Sequence, residues 1–260
     1  MTGPEGGVTV AAMTLAHDVT GDGPAVVLLH STVAHRRMWD PQVPALATAG
    51  FRVIRCDLRG HGDTPPPAAP WNDADDVAAL LDELGAPRVA LVGASGGGRV
   101  ALEIAARAPE RVTALALLCT AAPGLEPGPE LRAVWAEEES RFEAGDADGL
   151  ADLMVRTFVG PAATGPTRDH VREMQRHNAV VQMAMTEEPE PIRADFDPAT
   201  ITAPTLLVSG AHDLPDFTTV ATGLAARIPG ARHVHLDWAG HLPSLERPAE
   251  INARLLAFLS

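Results

Sequence analysis

Apolar residues fall into short uninterrupted runs: VTVAA (8–12), MTLAHDV (13–19), AVVLLH (25–30), RVIRC (52–56), RVALVG (88–93) and VTALALLCT (112–120). Most are bounded on at least one side by Gly, Pro or charge. A strand that shows one face to water alternates apolar and polar side chains, whereas a run apolar at nearly every position buries both faces. These runs therefore predict a parallel sheet with helices on either side. Helical periodicity fills the intervals at 38–49, 72–84 and 96–108.

The pattern changes at Pro123, Gly124, Pro127, Gly128 and Pro129. Three helical stripes follow with no strand: Leu131, Val134 and Trp135; Leu150, Leu153, Met154 and Phe158; Val171, Met174, Val181 and Met185. The chain then returns to strand (TLLVSG, 205–210), helix (217–228), strand (RHVHLD, 232–237) and helix (244–259). The expected architecture is an α/β core from 1–122 and 198–260, interrupted by a helical cap insertion at 123–197.

Composition narrows the chemistry. All 20 Lys+Arg residues are arginine, which removes the lysine-bearing phosphate loop, the pyridoxal Schiff base and the lysine nucleophile. A net charge of −14 argues against nucleic-acid and anionic-membrane partners. The insertion holds 16 acidic residues against 7 arginines. That balance is expected to favour a neutral or apolar substrate, unless an arginine such as Arg36 or Arg37 faces the site. The opening MTGPEGGVTV has neither a basic nor an apolar region, and no apolar run reaches bilayer length. A cytoplasmic protein without a secretory leader is expected. Cys56 and Cys119 each close an apolar run and read as small packed hydrophobes.

A G-x-S-x-G pattern, Gly93-Ala94-Ser95-Gly96-Gly97, stands where a buried strand ends and a helix begins. That setting exposes a serine hydroxyl on a strained turn at a helix N-terminus, where a developing anion is favoured. A serine alkoxide needs a base. Among ten histidines, His61 sits in a Gly-His-Gly turn, His30 ends a strand, His233 and His235 share a strand face without companion ligands, and His170 and His177 fall on an insertion helix. His241 follows Gly240 between the last strand and the last helix, where it can reach across the sheet edge. The orienting carboxylate should follow a strand between Ser95 and His241, and Asp213, after TLLVSG-Ala-His, fits. Asp216 is the rival, read here as a helix N-cap.

Strand plus His30, Arg59-Gly60-His61-Gly62, the Ser95 elbow, Gly210-x-x-Asp213 and Gly240-His241 together resemble the α/β-hydrolase superfamily across essentially the whole chain. The stretch His30-Ser31-Thr32 through Arg37-Met38-Trp39-Asp40 is similar to enol-lactonase-type and esterase-type members. The resemblance implies an eight-stranded, mostly parallel sheet, no cofactor or metal, and an oxyanion hole from the backbone N–H groups of Gly96 and Thr32, with Val33 as substitute. Ser31 stands where many members carry glycine, and Gly96 should open space beside the nucleophile. Ser31 or Thr32 is a candidate to offer substrate a hydroxyl. The implied strand order separates the two cysteines by two strands, too far for a disulfide.

On this reading Ser95 attacks a carboxylic ester or lactone, His241 carries the proton and Asp213 holds the imidazole. Serine rather than aspartate at 95 argues against dehalogenase and epoxide hydrolase chemistry. Carbon–carbon bond hydrolysis, hydroxynitrile cleavage, a non-hydrolytic biosynthetic reaction and a small-molecule receptor stay open as alternatives. Trp135, Phe158, Met154 and Met183 are the insertion's candidates for the substrate pocket, alongside a role in fastening it to the core. Oligomeric state is not legible.

Overall fold

The computed structural model describes residues 15–124, 126–185 and 189–260. Its first half alternates β1 (His17–Thr20), β2 (Ala25–Leu29), α1 (Val43–Thr48), β3 (Arg52–Cys56), α2 (Asp73–Glu83), β4 (Val89–Ala94), α3 (Gly96–Arg107) and β5 (Val112–Leu118). Three helices follow: α4 (Pro129–Glu143), α5 (Ala147–Phe158) and α6 (Gly165–Met183). The chain closes with β6 (Thr205–Gly210), α7 (Pro215–Arg227), β7 (Arg232–Leu236), α8 (Pro243–Glu246) and α9 (Pro248–Leu259).

The strands form one sheet in the order β1-β3-β2-β4-β5-β6-β7. β1 is antiparallel to β3, and every other pair is parallel. The expected count of eight is corrected to seven among the described residues; VTVAA (8–12) lies outside them, and MTLAHDV contributes only its end to β1.

The continuous apolar runs are explained by two cores, one on each face of the sheet. Val26 and Leu28 of β2 and Ala90 and Val92 of β4 belong to one, while Val27, Leu29, Val89 and Leu91 belong to the other. Side chains alternate across a strand, so both registers must be apolar when both faces are covered. The first core continues into the insertion through Leu150, Leu153, Met154, Phe158, Val171 and Met174. Asn178 on α6 is fully buried and ties that helix to two core loops, donating to Ala34 O at 2.8 Å and accepting from Gly62 N at 3.1 Å. Among the described residues no helix is long and apolar enough to cross a membrane.

Two expected helices are broken at prolines. The helix read at 38–49 is a 3-10 turn, Arg36–Trp39, and then α1, with Pro41 between them. The helix read at 244–259 divides at Arg247, which takes φ −136° and ψ 73° ahead of Pro248. A residue before proline is pushed out of the α region, and proline itself starts a helix well because its missing N–H is not needed there.

Candidate active site

β4 delivers Ser95 into a turn with φ 51° and ψ −117°, a left-handed conformation that costs a non-glycine residue about 1–3 kcal/mol. The surrounding packing holds it. Ser95 N donates to Leu118 O at 3.0 Å, and Ser95 O accepts from Ala121 N and Arg99 N, each at 3.1 Å. The flanking glycines let α3 approach the sheet at backbone distance: a Cβ on Gly93 would lie 2.6 Å from Gly97 O, and one on Gly97 would overlap the carbonyls of Leu29 and His30.

Asp213 follows β6 and His241 follows β7, so both arrive at the sheet edge that carries Ser95, as loops after parallel strands must. Asp213 Oδ2 lies 2.8 Å from His241 Nδ1, and its Oδ1 accepts from Leu214 N at 2.8 Å. Both side chains are buried. The imidazole is enclosed by Phe217, with ring centroids 4.2 Å apart, and by Phe158 at 4.8 Å. His241 N donates to Phe158 O at 3.1 Å. With Nδ1–H given to the carboxylate, Nε2 is the imidazole nitrogen left to accept a proton.

Asp216 is not the helix cap expected. Leu214 occupies the N-cap of α7, and Asp216, in the first turn, accepts from Gly128 N at 2.5 Å, at the start of α4. It therefore fastens the insertion to the core. Asp216→Ala is expected to lose about 1–3 kcal/mol of stability, the cost of taking a charged acceptor from a half-buried amide, while any activity of the site persists below the melting transition. Thermal unfolding and an activity assay on the same sample check this.

The backbone donors expected for an oxyanion sit side by side. Gly97 N donates to His30 O at 3.1 Å, drawing the start of α3 onto the end of β2, and the Cβ position on Gly96 falls 3.9 Å from Thr32 N. Among the described residues neither Gly96 N nor Thr32 N donates to any acceptor. Val33 N already donates to Ser31 Oγ at 3.4 Å, which weakens it as a substitute. The space expected beside Gly96 is filled by the Thr32 methyl, 2.6 Å from where a Cβ would lie. Beneath this turn His30 is fully buried; burial pushes its pKa well down, so the neutral ring donates Nδ1–H to Ser31 O at 2.9 Å and accepts from Leu58 N at 2.9 Å.

A cavity of about 670 Å³ opens on Ser95 and His241, lined by Thr32 and Gly96 and, from the insertion, by Trp135, Met154 and Phe158. Ser31 and Met183 do not line it. Ser31 is buried with its hydroxyl turned to Val33 N, and Met183 packs against the core. Arg36 and Arg37 lie outside it as well. Arg36 bonds Asp57 and Asp18, and Arg37 pairs with Asp40 at 3.6 Å. The arginines that do line the cavity are Arg59, Arg99 and Arg193. Of the other histidines, His61 lines the cavity, His177 reaches Gly62 O at 2.9 Å rather than standing free, and His233 and His235 share Ser209 Oγ at 2.8 and 2.9 Å.

Sequence reading missed Glu246. This buried carboxylate, on α8, accepts from Gly240 N at 2.9 Å, Leu242 N at 3.2 Å and Gly160 N at 3.2 Å. It grips the loop on both sides of His241 and joins it to the end of the α5 turn. A carboxylate five residues past the histidine of a Gly-His pair, at the end of a short helix, is the signal that could have found it.

Cys119 Sγ, Asp213 and His241 lie within 4.8 Å of one another, a grouping able in principle to hold a metal. Burial, reinforced by the Asp213 charge, pushes the Cys119 thiol well up, and Sγ donates to Gly240 O at 3.5 Å. Cys56 is also a free, buried thiol.

These features define an α/β protein built around a strand–turn–helix elbow, with an Asp–His pair brought to the same sheet edge. The chain belongs to the alpha/beta hydrolase fold family, whose model matches residues 24–189. It is 33% identical to the pimeloyl-(acyl-carrier protein) methyl ester esterase of Aromatoleum aromaticum over 87% of this chain and 94% of that one. It is 26% identical to bifunctional epoxide hydrolase 2 of Rattus norvegicus over 98% of this chain, spanning only 55% of that protein. The enol-lactonase of Burkholderia xenovorans is a structural neighbour, with TM-score 0.75, 29% identity, and 94% of this chain and 96% of that one covered.

Proposed function

We propose that the chain is a serine hydrolase that cleaves a carboxylic ester or lactone of a small molecule through an acyl-enzyme. The observation that carries this reading is the buried 2.8 Å contact of Asp213 with His241 Nδ1, in the wall of the cavity that also exposes Ser95. Similarity to an esterase and an enol-lactonase supports it.

In this reading His241 Nε2 takes the Ser95 hydroxyl proton as Oγ attacks the carbonyl carbon. The carbonyl π electrons move to oxygen, where the amides of Gly96 and Thr32 donate hydrogen bonds. Collapse expels the alkoxide, which takes the proton from His241. Water then repeats the attack with His241 as base, freeing the acid and Ser95. Asp213 holds the tautomer and stabilises the imidazolium. Residues 123–197 act as a cap, supplying Trp135, Met154 and Phe158 to the pocket. A cytoplasmic setting completes the reading, which the two unpaired thiols suit.

A fluorophosphonate probe is expected to label the protein once, on Ser95, as located by peptide mass spectrometry, and to fail on Ser95→Ala. Labelling at another residue would move the nucleophile and sink the assignment.

A further inference from the structure

Two arginines in the cavity wall have no part in the reaction as drawn. Arg99 stands on α3 one turn beyond Ser95, with a side chain 19% exposed, and its nearest carboxylate oxygen, on Glu103, is 3.9 Å away. Asn72 Nδ2 at 2.7 Å and Arg107 Nη1 at 2.9 Å both bond the other oxygen of that carboxylate, Oε1, while Arg99 faces Oε2. Arg193 lines the same cavity from the segment that returns to the core, and among the described residues it has no ion pair or hydrogen bond.

The backbone beside Arg193 is anchored. Ile192 N donates to Trp71 O at 2.6 Å, and Ile192 O accepts from Asn72 Nδ2 at 2.9 Å. Asn72 thus fastens the Arg193 segment and the Glu103 carboxylate together, setting the two guanidinium groups in one wall. They are close enough to feel each other: burial first, then the Arg193 charge, lowers the proton affinity of Arg99, with Glu103 and Asp73 offsetting part of this.

Asp73, Glu103, Glu138 and Asp195 line the same wall. Arg59 and Asp76 satisfy each other through two contacts of 2.6 and 2.7 Å. Burial pushes up the carboxyls of Asp73, which accepts from Trp71 Nε1, and of Glu138. Asp195 is exposed. Guanidinium groups without a hydrogen-bond acceptor, half-buried at Arg99 and exposed at Arg193, can bind a carboxylate through paired N–H groups.

We propose that Arg99 and Arg193 form a carboxylate subsite of the cavity, selecting substrates that carry an anionic group several bonds from the carbonyl attacked by Ser95. The inference rests on the proposed function for the bond cleaved, and on the cavity wall alone for the anion bound. A rise of about 1.5 Å per residue sets the Arg99 backbone about 6 Å along the helix from Ser95, which separates the charge from the reacting centre. The surrounding acids favour a singly charged carboxylate over a phosphate dianion. The local wall, rather than the net charge of the insertion, then governs substrate charge, reversing the expectation of a neutral substrate.

The test compares 4-nitrophenyl glutarate, which keeps a free carboxylate, with 4-nitrophenyl pentanoate, its uncharged match in acyl length. The ratio of their kcat/KM values is expected to fall about ten- to a hundredfold in Arg193→Gln and in Arg99→Gln, chiefly through KM for the glutarate. Arg37→Gln, on the exposed surface, should leave the ratio unchanged. Rising salt should lower the wild-type ratio more than that of Arg193→Gln. Because Arg99 is partly buried, Arg193→Gln carries the decision if Arg99→Gln fails to fold. An unchanged ratio in Arg193→Gln overturns the subsite.

Calorimetry with glutarate itself separates this inference from the proposed reaction. Glutarate is expected to bind wild type and to bind Arg193→Gln at least about tenfold more weakly, with inorganic phosphate competing poorly. If neither ester is turned over but that loss of binding is seen, the ester-cleavage reading fails and the subsite stands. If Ser95 turns over both esters while glutarate binding ignores the arginines, or phosphate binds as tightly as glutarate, the carboxylate subsite fails.

Discussion

Ser95→Ala is expected to lower ester turnover by about 10⁴- to 10⁶-fold, the range seen when the nucleophile of a coupled serine–histidine unit is removed. The fold should be untouched, because the bonds that hold the turn are made by the Ser95 backbone, to Leu118 O and from Ala121 and Arg99. Ser95→Gly should be as inactive and no less stable, since glycine takes φ 51° without the steric cost borne by any other residue. Steady-state kinetics with thermal unfolding on the same preparations reads both. An alanine variant that keeps even a tenth of wild-type turnover would return the elbow to a purely structural role.

Asp213→Asn should lower kcat by about 10⁴ while leaving the protein folded. The reason lies at His241 Nδ1, which faces one oxygen of the carboxylate at 2.8 Å while the other accepts from Leu214 N. An asparagine that keeps its oxygen on Leu214 N presents its NH₂ to the imidazole, which must then accept at Nδ1 and carry its proton on Nε2. Nε2, the nitrogen assigned the Ser95 proton in the proposed reaction, becomes a donor and can no longer act as base. Since Asp216 bonds Gly128 and not the imidazole, a nearly inactive Asp216→Ala beside an active Asp213→Asn would transfer the acid role and contradict the observed contact.

What the sequence made legible follows from how local each signal is. That Ser95, Asp213 and His241 meet at one sheet edge was legible because a parallel sheet sends the loop after every strand there, so a strand ending suffices to place each of them. The helix breaks at Pro41 and Pro248 were equally available, since proline restricts the residue before it wherever it occurs; periodicity ran through them and was the weaker guide. Asp216 was misread because an acid at a helix start serves as a cap far more often than as a tether to a distant glycine. Ser31 and Met183 were misplaced for a related reason: their side-chain directions depend on the Ser31–Thr32 turn and on how α6 seats on Asn178, neither of which is periodic. Arg99 was readable as four residues beyond Ser95. Arg193 joins it only through the grip of Asn72 on Ile192, a meeting of three segments that no spacing in the chain announces.

The Glu246 clamp sets a limit on recombining this protein with its relatives. Gly160 belongs to the stretch that would travel with an exchanged insertion, yet its amide shares a buried carboxylate with Gly240 and Leu242, and Phe158 O receives the amide of His241 itself. A graft drawn at the apparent borders of the helical segment would bring foreign residues to both positions and loosen the loop that carries His241 while leaving the sheet and the Ser95 turn intact. Chimeras intended to trade specificity should therefore retain Phe158 through Gly160 from the recipient, so that the portion free to be exchanged is divided in two around that tripeptide.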